Sequence, residues 1–548
     1  MIKQIFRSIS KKEWRLVILL SLFLIVITTA PLVYGFLITP SDKVFMGVHF
    51  SAPNDWFVYY SYINQAKSGK ILFDNLFSAD HQLPTLNICW LAVGWLARIF
   101  DLSAFVAFQA ARIMLIPVFM ATAYLLIATI FSDLVKRKLS IIMLSFSSGL
   151  GLLLIDRLIR YPNNFSNGQF NWPLDLWVPE AFTYLTLHYS PHFIASSILI
   201  LLIFWLTLLF TLQANYWYPV VAGLIGLALF SFHPFHVLTI YGFILIFFLV
   251  LVVRDRAWHW PLFWYYFIFS VLAFPSVFYY LLLIKIDPVI SQKTLQNLTL
   301  TPPWWIVLVS YGLLLILAAG AVGWYIKRGK QSTTEIFLIT WLVFQGLLIF
   351  APVPWQRRMT QGLHVPLALL ATVALIQLSV WMTTSRHPVA RMLYQKRYGL
   401  SFTLGFLLIT SNVFHIAVNY YMYTNHLNLS YLEQSKVVAA RWLEQVPEGV
   451  VLNTAANIIN VLPAFANQRV YVGHGVETPF FNFKQGEVNW FFETNRPDET
   501  EKSFLTQRGI TLIYYGPDER ALGDYDPSSK TYLQEVYRNS EVIIYQVL

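Results

Sequence analysis

Eleven apolar runs constrain this chain more than any other feature. They lie at about 16–37, 104–131, 139–155, 192–213, 217–232, 237–253, 260–284, 304–326, 335–351, 361–382 and 399–421. Each is near the roughly 20 residues that cross a bilayer as a helix. In hydrocarbon the backbone must satisfy its own N–H and C=O groups, so runs of this kind fold as helices. The expected fold class is a polytopic α-helical membrane protein of about eleven spans. Only 12% of the 548 residues are charged and 57% are hydrophobic, a balance that a water-soluble domain of this size does not carry.

One further run, Leu83 to Phe100, is ambiguous. The basic groups Lys136-Arg137-Lys138, Arg254 with Arg256, Lys327-Arg328 with Lys330, and Arg386 through Arg397 share a side with the N-terminus only if that run does not cross. The bias of Lys and Arg toward the cytoplasmic side therefore lays it along the outer face. Lys3, Arg7, Lys11, Lys12 and Arg15 precede a run too long for a signal peptide and without a cleavage site, so the run reads as a retained anchor. This topology places the N-terminus in the cytoplasm. It places outside the first loop (about 38–103, with interfacial helices), the second loop (Asp156 to Ser190), the Pro352 to Thr360 corner and everything after Ser430.

From Ser430 the texture is that of a soluble domain, with 10 Lys+Arg against 15 Asp+Glu, where the preceding part has 28 against 13. A helix carrying Val438, Ala439 and Trp442, short β-rich runs at Val450 to Asn453, Arg469 to Val472 and Ile510 to Tyr515, and a closing hairpin near Tyr532 to Tyr537 and Glu541 to Val547 predict a small extracytoplasmic α/β domain over 430–548. Residues 1–429 form the membrane module. Positive charge confined to loops between spans marks orientation, so nucleic acid is excluded as a partner. Cys89 is the single cysteine, which excludes a disulfide framework and a cysteine metal cluster.

The first loop holds the strongest candidate. Trp56, Tyr59, Tyr60 and Ile63 recur at i, i+3, i+4 and i+7, predicting an interfacial helix that starts after Asn54 and stops at Ser68-Gly69. Asp55 then lies in its first turn, where the helix dipole favours a carboxylate able to act as a base. The plainer reading is an aspartate that stabilises the helix end. Asp80-His81, later in the loop, can orient a substrate or hold a divalent cation, but no third ligand stands at ligand spacing and a solvated pair is the simpler account.

Arg357-Arg358 stands at an outer corner against the positive-inside trend, and two guanidiniums there can clamp a phosphate. Alternatively, both pair with loop acids or lipid headgroups. In the second loop, Asp175, Glu180, His188 and His192 lie among aromatics that suit sugar stacking or an interfacial belt. His233 and His236 flank Pro234, a weak metal pattern. Arg112 lies about two turns into a span and is expected to face the interior. The Gly473-His474-Gly475 stretch reads as a tight turn.

A first span, a long loop with Asp55 near its start, the helix after Pro84, Arg112, many spans and a C-terminal soluble domain together resemble the GT-C superfamily of polyprenyl-phosphate-sugar-dependent glycosyltransferases, which includes protein O-mannosyltransferases and aminoarabinose transferases. The resemblance implies a hexosyl or pentosyl transferase of the cell envelope, in a bacterial plasma membrane. It casts Asp55 as base and Arg357 and Arg358 as ligands of the donor phosphate. Asp80, His81, Arg112, Glu180, His192 and His233 are further substrate-binding candidates. The expected partners are a polyprenyl-phosphate-linked sugar, a glycan, lipid or protein acceptor, and membrane lipids. No metal site is assigned, and a divalent cation stays open as a cofactor. The rival is a transporter or flippase for a lipid or amphiphile, which would call for repeated halves and broken helices near the midplane.

Overall fold

A computed structural model describes the chain except residues 52, 161–164, 167–168, 428–429 and 456–458. It divides into two compact units. The first comprises Met1–Pro31, Gln109–Tyr280 and Leu298–Asn419, the second Leu32–Phe108, Leu281–Asn297 and Tyr420–Leu548.

Nine helices among the described residues are long and apolar enough to cross a membrane. Two of the eleven expected spans are short helices, Trp217–Phe230 with 14 residues and Thr333–Leu348 with 16, and the stretch Leu134–Leu154, counted among the nine, is not one continuous helix. At 1.5 Å per residue the two short helices reach about 21 and 24 Å, less than the roughly 30 Å of a hydrocarbon core. Local chemistry stops both. Pro234 lacks the N–H needed to carry the first onward. Ser332 and Glu335 close a capping box at the start of the second, and Pro352 and Pro354 follow its end.

The first unit is a helical assembly. Its expected span at 139–155 is a helix only to Phe146, followed by an extended step and a 3-10 turn at Gly151–Leu154. The step is pinned by side chains: Ser147 Oγ lies 3.0 Å from His364 Nε2, and Ser148 Oγ donates to the Leu408 carbonyl. Arg137, one of the residues used to orient the chain, is buried and paired with Glu13 at 3.3 Å. Tyr124 donates to the same carboxylate.

In the second unit the predicted interfacial helix is Asp55–Ser68, ended by Gly69 with φ 109°. Trp56, Tyr60 and Ile63 are buried, and Tyr59 stacks on Trp90 with centroids 4.7 Å apart. That ring belongs to the helix Ile88–Ile99, the ambiguous run, whose 12 residues span about 18 Å. The two helices meet at Gly94, where a Cβ would lie 2.1 Å from the Ala66 Cβ.

The C-terminal part of this unit carries a five-stranded sheet in the order 533–538, 543–547, 512–515, 450–452, 469–470. The last three strands are parallel, and the hairpin is antiparallel. Alternation along Leu512–Tyr515 serves two cores: Leu512 and Tyr514 face Ala440, Leu443 and Val470, while Ile513 and Tyr515 face Val488, Phe491 and Phe492. The edge at 469–472 is covered by the first loop, since the Val470 N–H donates to the Leu76 carbonyl and Ser78 bridges Val472. Unpaired edges invite association with other chains, and the loop removes this one. Lys43–Phe45 also pairs antiparallel with Tyr431–Glu433.

The close approach at Gly94 makes a clear prediction. Gly94→Val inserts atoms where Ala66 already sits and should destabilise the second unit by about 2 kcal/mol, lowering the thermal midpoint of the purified protein. An unchanged midpoint would show that the helices can part at little cost.

Candidate functional site

Asp55 opens its helix with its side chain 42% exposed. Its Oδ1 lies 3.4 Å from Nε2 of His474, which is largely buried. Backbone amides fix how the imidazole is set. The backbone N–H groups of Val476 and Glu477 point at His474 Nδ1, at 3.2 and 3.4 Å. Nδ1 is therefore an acceptor, which in the uncharged ring leaves the hydrogen on Nε2, the nitrogen nearer Asp55.

The turn that carries His474 is held from two sides. Thr478 Oγ1 accepts from the Gly473 and His474 N–H groups and donates to the Phe77 carbonyl of the first loop at 2.6 Å. From the helix Pro288–Gln296, Gln296 Nε2 donates to the carbonyls of Val476 and Thr478, and Lys293 pairs with Glu477. Lys293 also donates to Gln82 at 3.0 Å. Burial works to raise the Glu477 carboxyl, but the Lys293 ammonium outweighs it and holds the group below its ordinary value of 4.5.

Asp80 also lies in this unit. It accepts from Ser78 Oγ and pairs with Lys484 of the C-terminal part, so the contact ties loop to sheet domain. His81 beside it is exposed.

The first unit holds a separate cationic cluster. Arg357 and Arg358 lie in the 3-10 turn Gln356–Thr360. The Arg357 guanidinium stands 4.1 Å over the Trp177 ring, and that of Arg358 stands 4.6 Å over Phe235. Stacking fixes the plane of each guanidinium. Three buried histidines lie in the same unit: the His192 and His233 rings are 5.1 Å apart, and His233 Nδ1 is 3.3 Å from His236 Nε2. His236 Nε2 is 2.8 Å from Gln361 Oε1. The Gln361 amide donates to Ser196, Ser197 and the Phe193 carbonyl. His236, which the sequence presented only as a weak metal pattern, belongs to this hydrogen-bonded row.

The remaining candidates lie elsewhere in the first unit. Arg112 is wholly buried and, as expected, faces the interior, donating to Gln109, Thr28, Thr29 and the Leu187 carbonyl. Glu180 is buried. Asp175 accepts from the Gly151 N–H at 2.8 Å and Ser411 Oγ at 2.5 Å. Burial pushes its carboxyl up to about 7 against those hydrogen bonds. It anchors the broken segment after Phe146.

Among the described residues no group of three or more His, Cys, Asp or Glu converges as a metal ligand set.

No family model and no curated protein matches the sequence. Solved structures do. The oligosaccharyltransferase AglB of Archaeoglobus fulgidus, solved with an inhibitory peptide and a dolichol-phosphate, superposes with a TM-score of 0.54 at 12% identity, covering 92% of this chain and 70% of that one. ArnT of Cupriavidus metallidurans, bound to undecaprenyl phosphate, gives 0.50 at 12% identity over 98% of both chains. The mycobacterial arabinofuranosyltransferase AftD gives 0.51 at 11% identity, covering 96% of this chain and 41% of that one. The fold is similar to that of these GT-C glycosyltransferases, with membrane-length helices and a C-terminal mixed sheet.

The Lys293–Glu477 pair supplies a test of how the turn is held. A depressed carboxyl contributes stability that is present above its unfolded pKa and is lost as the pH falls through its folded one. Lys293→Met should therefore destabilise the protein by about 2 kcal/mol at pH 7, and the deficit should shrink on acidification below pH 4.5, as thermal unfolding against pH would record. A deficit independent of pH would mean that the lysine acts by packing alone.

Proposed function

We propose that the protein transfers a sugar from a polyprenyl-phosphate carrier to an acceptor hydroxyl at the outer membrane face, with inversion at the anomeric carbon. The observation that carries this reading is an accessible first-loop carboxylate, Asp55, set at a helix start with the His474 imidazole 3.4 Å away, in a chain with the GT-C fold. Asp55 removes the proton from the acceptor hydroxyl. The oxygen attacks the anomeric carbon from the face opposite the phosphate, the C–O bond to the carrier breaks, and the polyprenyl phosphate departs with the electron pair. A single displacement inverts the configuration.

Arg357 and Arg358 neutralise the charge that develops on the departing phosphate, so they act on rate as well as on binding. Stacking on Trp177 and Phe235 holds their forks in place before the donor arrives. His192 and His233 are further substrate-binding candidates in the same unit. The isoprenoid phosphates bound by AglB and ArnT belong to the ligand class proposed here. In this reading the N-terminus is cytoplasmic, and the first loop and the C-terminal domain are outside.

The protein, incubated with a panel of polyprenyl-phosphate hexoses and pentoses, should release polyprenyl phosphate and form a product of inverted configuration. Asp55→Asn should lower kcat by at least about 100-fold, and retained activity would remove Asp55 as the base. Arg357→Ala with Arg358→Ala should weaken polyprenyl phosphate binding by about tenfold or more. Unchanged binding would remove the clamp.

A further inference from the structure

We infer that His474, supplied by the C-terminal domain, is a positioning residue for Asp55: its Nε2–H holds the carboxylate ionised and oriented toward the acceptor, and the C-terminal domain thereby completes the catalytic centre. The inference rests on the proposed glycosyl transfer and adds a second residue to it.

Two backbone N–H groups, from Val476 and Glu477, claim Nδ1, so the neutral imidazole carries its hydrogen on the Asp55 side. An N–H donor stabilises the charged form of a carboxylate, and the start of the helix favours the same form. The 3.4 Å separation is the loose contact common in catalytic pairs before substrate binds. His474 keeps this proton throughout the reaction, and the acceptor's proton goes to Asp55.

The setting is built to keep the ring still. Gly473 and His474 are tied through Thr478 to Phe77, the Phe77 ring meets the imidazole edge-on at 6.4 Å, and Ile459 bridges His474 from the other side. The charged groups facing the ring are Asp55 from the loop helix and Glu477 from the same turn. Lys293 of the helix Pro288–Gln296 neutralises Glu477. That neutralisation matters: an unpaired Glu477 beside Asp55 would repel its charge and compete for the imidazole. A turn needed only to close the domain would require neither a fixed tautomer nor a lysine from another segment.

The test uses the protein with a polyprenyl-phosphate sugar. His474→Ala should lower kcat by about tenfold or more, leave the donor KM within about twofold, and move the acid limb of the pH profile to higher pH, because the carboxylate has lost a donor. His474→Gln retains an N–H at the end of the side chain and should recover part of the rate and of the limb. If Asp55→Asn is inactive while His474→Ala matches wild type in kcat and in its acid limb, the inference is overturned and the proposed transfer stands. If Asp55→Asn is active, the base reading falls and takes the role of His474 with it. A readout that needs no turnover is isotope-edited infrared titration of the Asp55 carboxyl. Its midpoint should rise in His474→Ala and return toward wild type in His474→Gln, and an equal midpoint in all three would overturn the inference.

Discussion

The docking of one polar turn, residues 473–478, is the interaction on which the second unit depends. It joins three stretches far apart in sequence: the first loop through Phe77, the helix Pro288–Gln296 through Lys293 and Gln296, and the C-terminal sheet domain to which the turn belongs. The bonds are directional, and several involve a charged or buried partner, so the turn has little freedom to slide. Fixing it also fixes the side of the His474 ring that faces Asp55. The exposed β-edge is covered by the same loop, so a single docking event satisfies backbone groups and sets the site.

The first unit treats its charges differently. Arg112 lies wholly buried among hydroxyl, amide and carbonyl oxygens, because a buried guanidinium must find acceptors wherever it can. Arg357 and Arg358 are half-buried and stacked on aromatic rings, which fixes the plane of each guanidinium.

Much of this was legible in the sequence, and for identifiable reasons. The helix Asp55–Ser68 was readable because its aromatic spacing and its Gly69 stop are local signals. The strands of the C-terminal domain and its hairpin were readable because alternation is local too. Two apolar runs were read as full spans, yet prolines and a capping box shorten them, so a hydropathy window overstates what the backbone can continue. His474 was read as part of a tight turn, which it is. Its partner Asp55 stands more than 400 residues away, and neither periodicity nor spacing carries a signal over that distance. The nearest available hint was a histidine between two glycines directly after a predicted strand.

The sequence by itself determined that the chain lives in a membrane, where its helices and strands begin, and which few polar residues hydrocarbon cannot hide, because these follow from transfer free energy and from the geometry of neighbouring residues. Which of those polar residues meet was decided only by tertiary structure. Hydrogen bonds act over about 3 Å, and only a folded chain brings an imidazole, a carboxylate and a lysine from three remote segments within that reach.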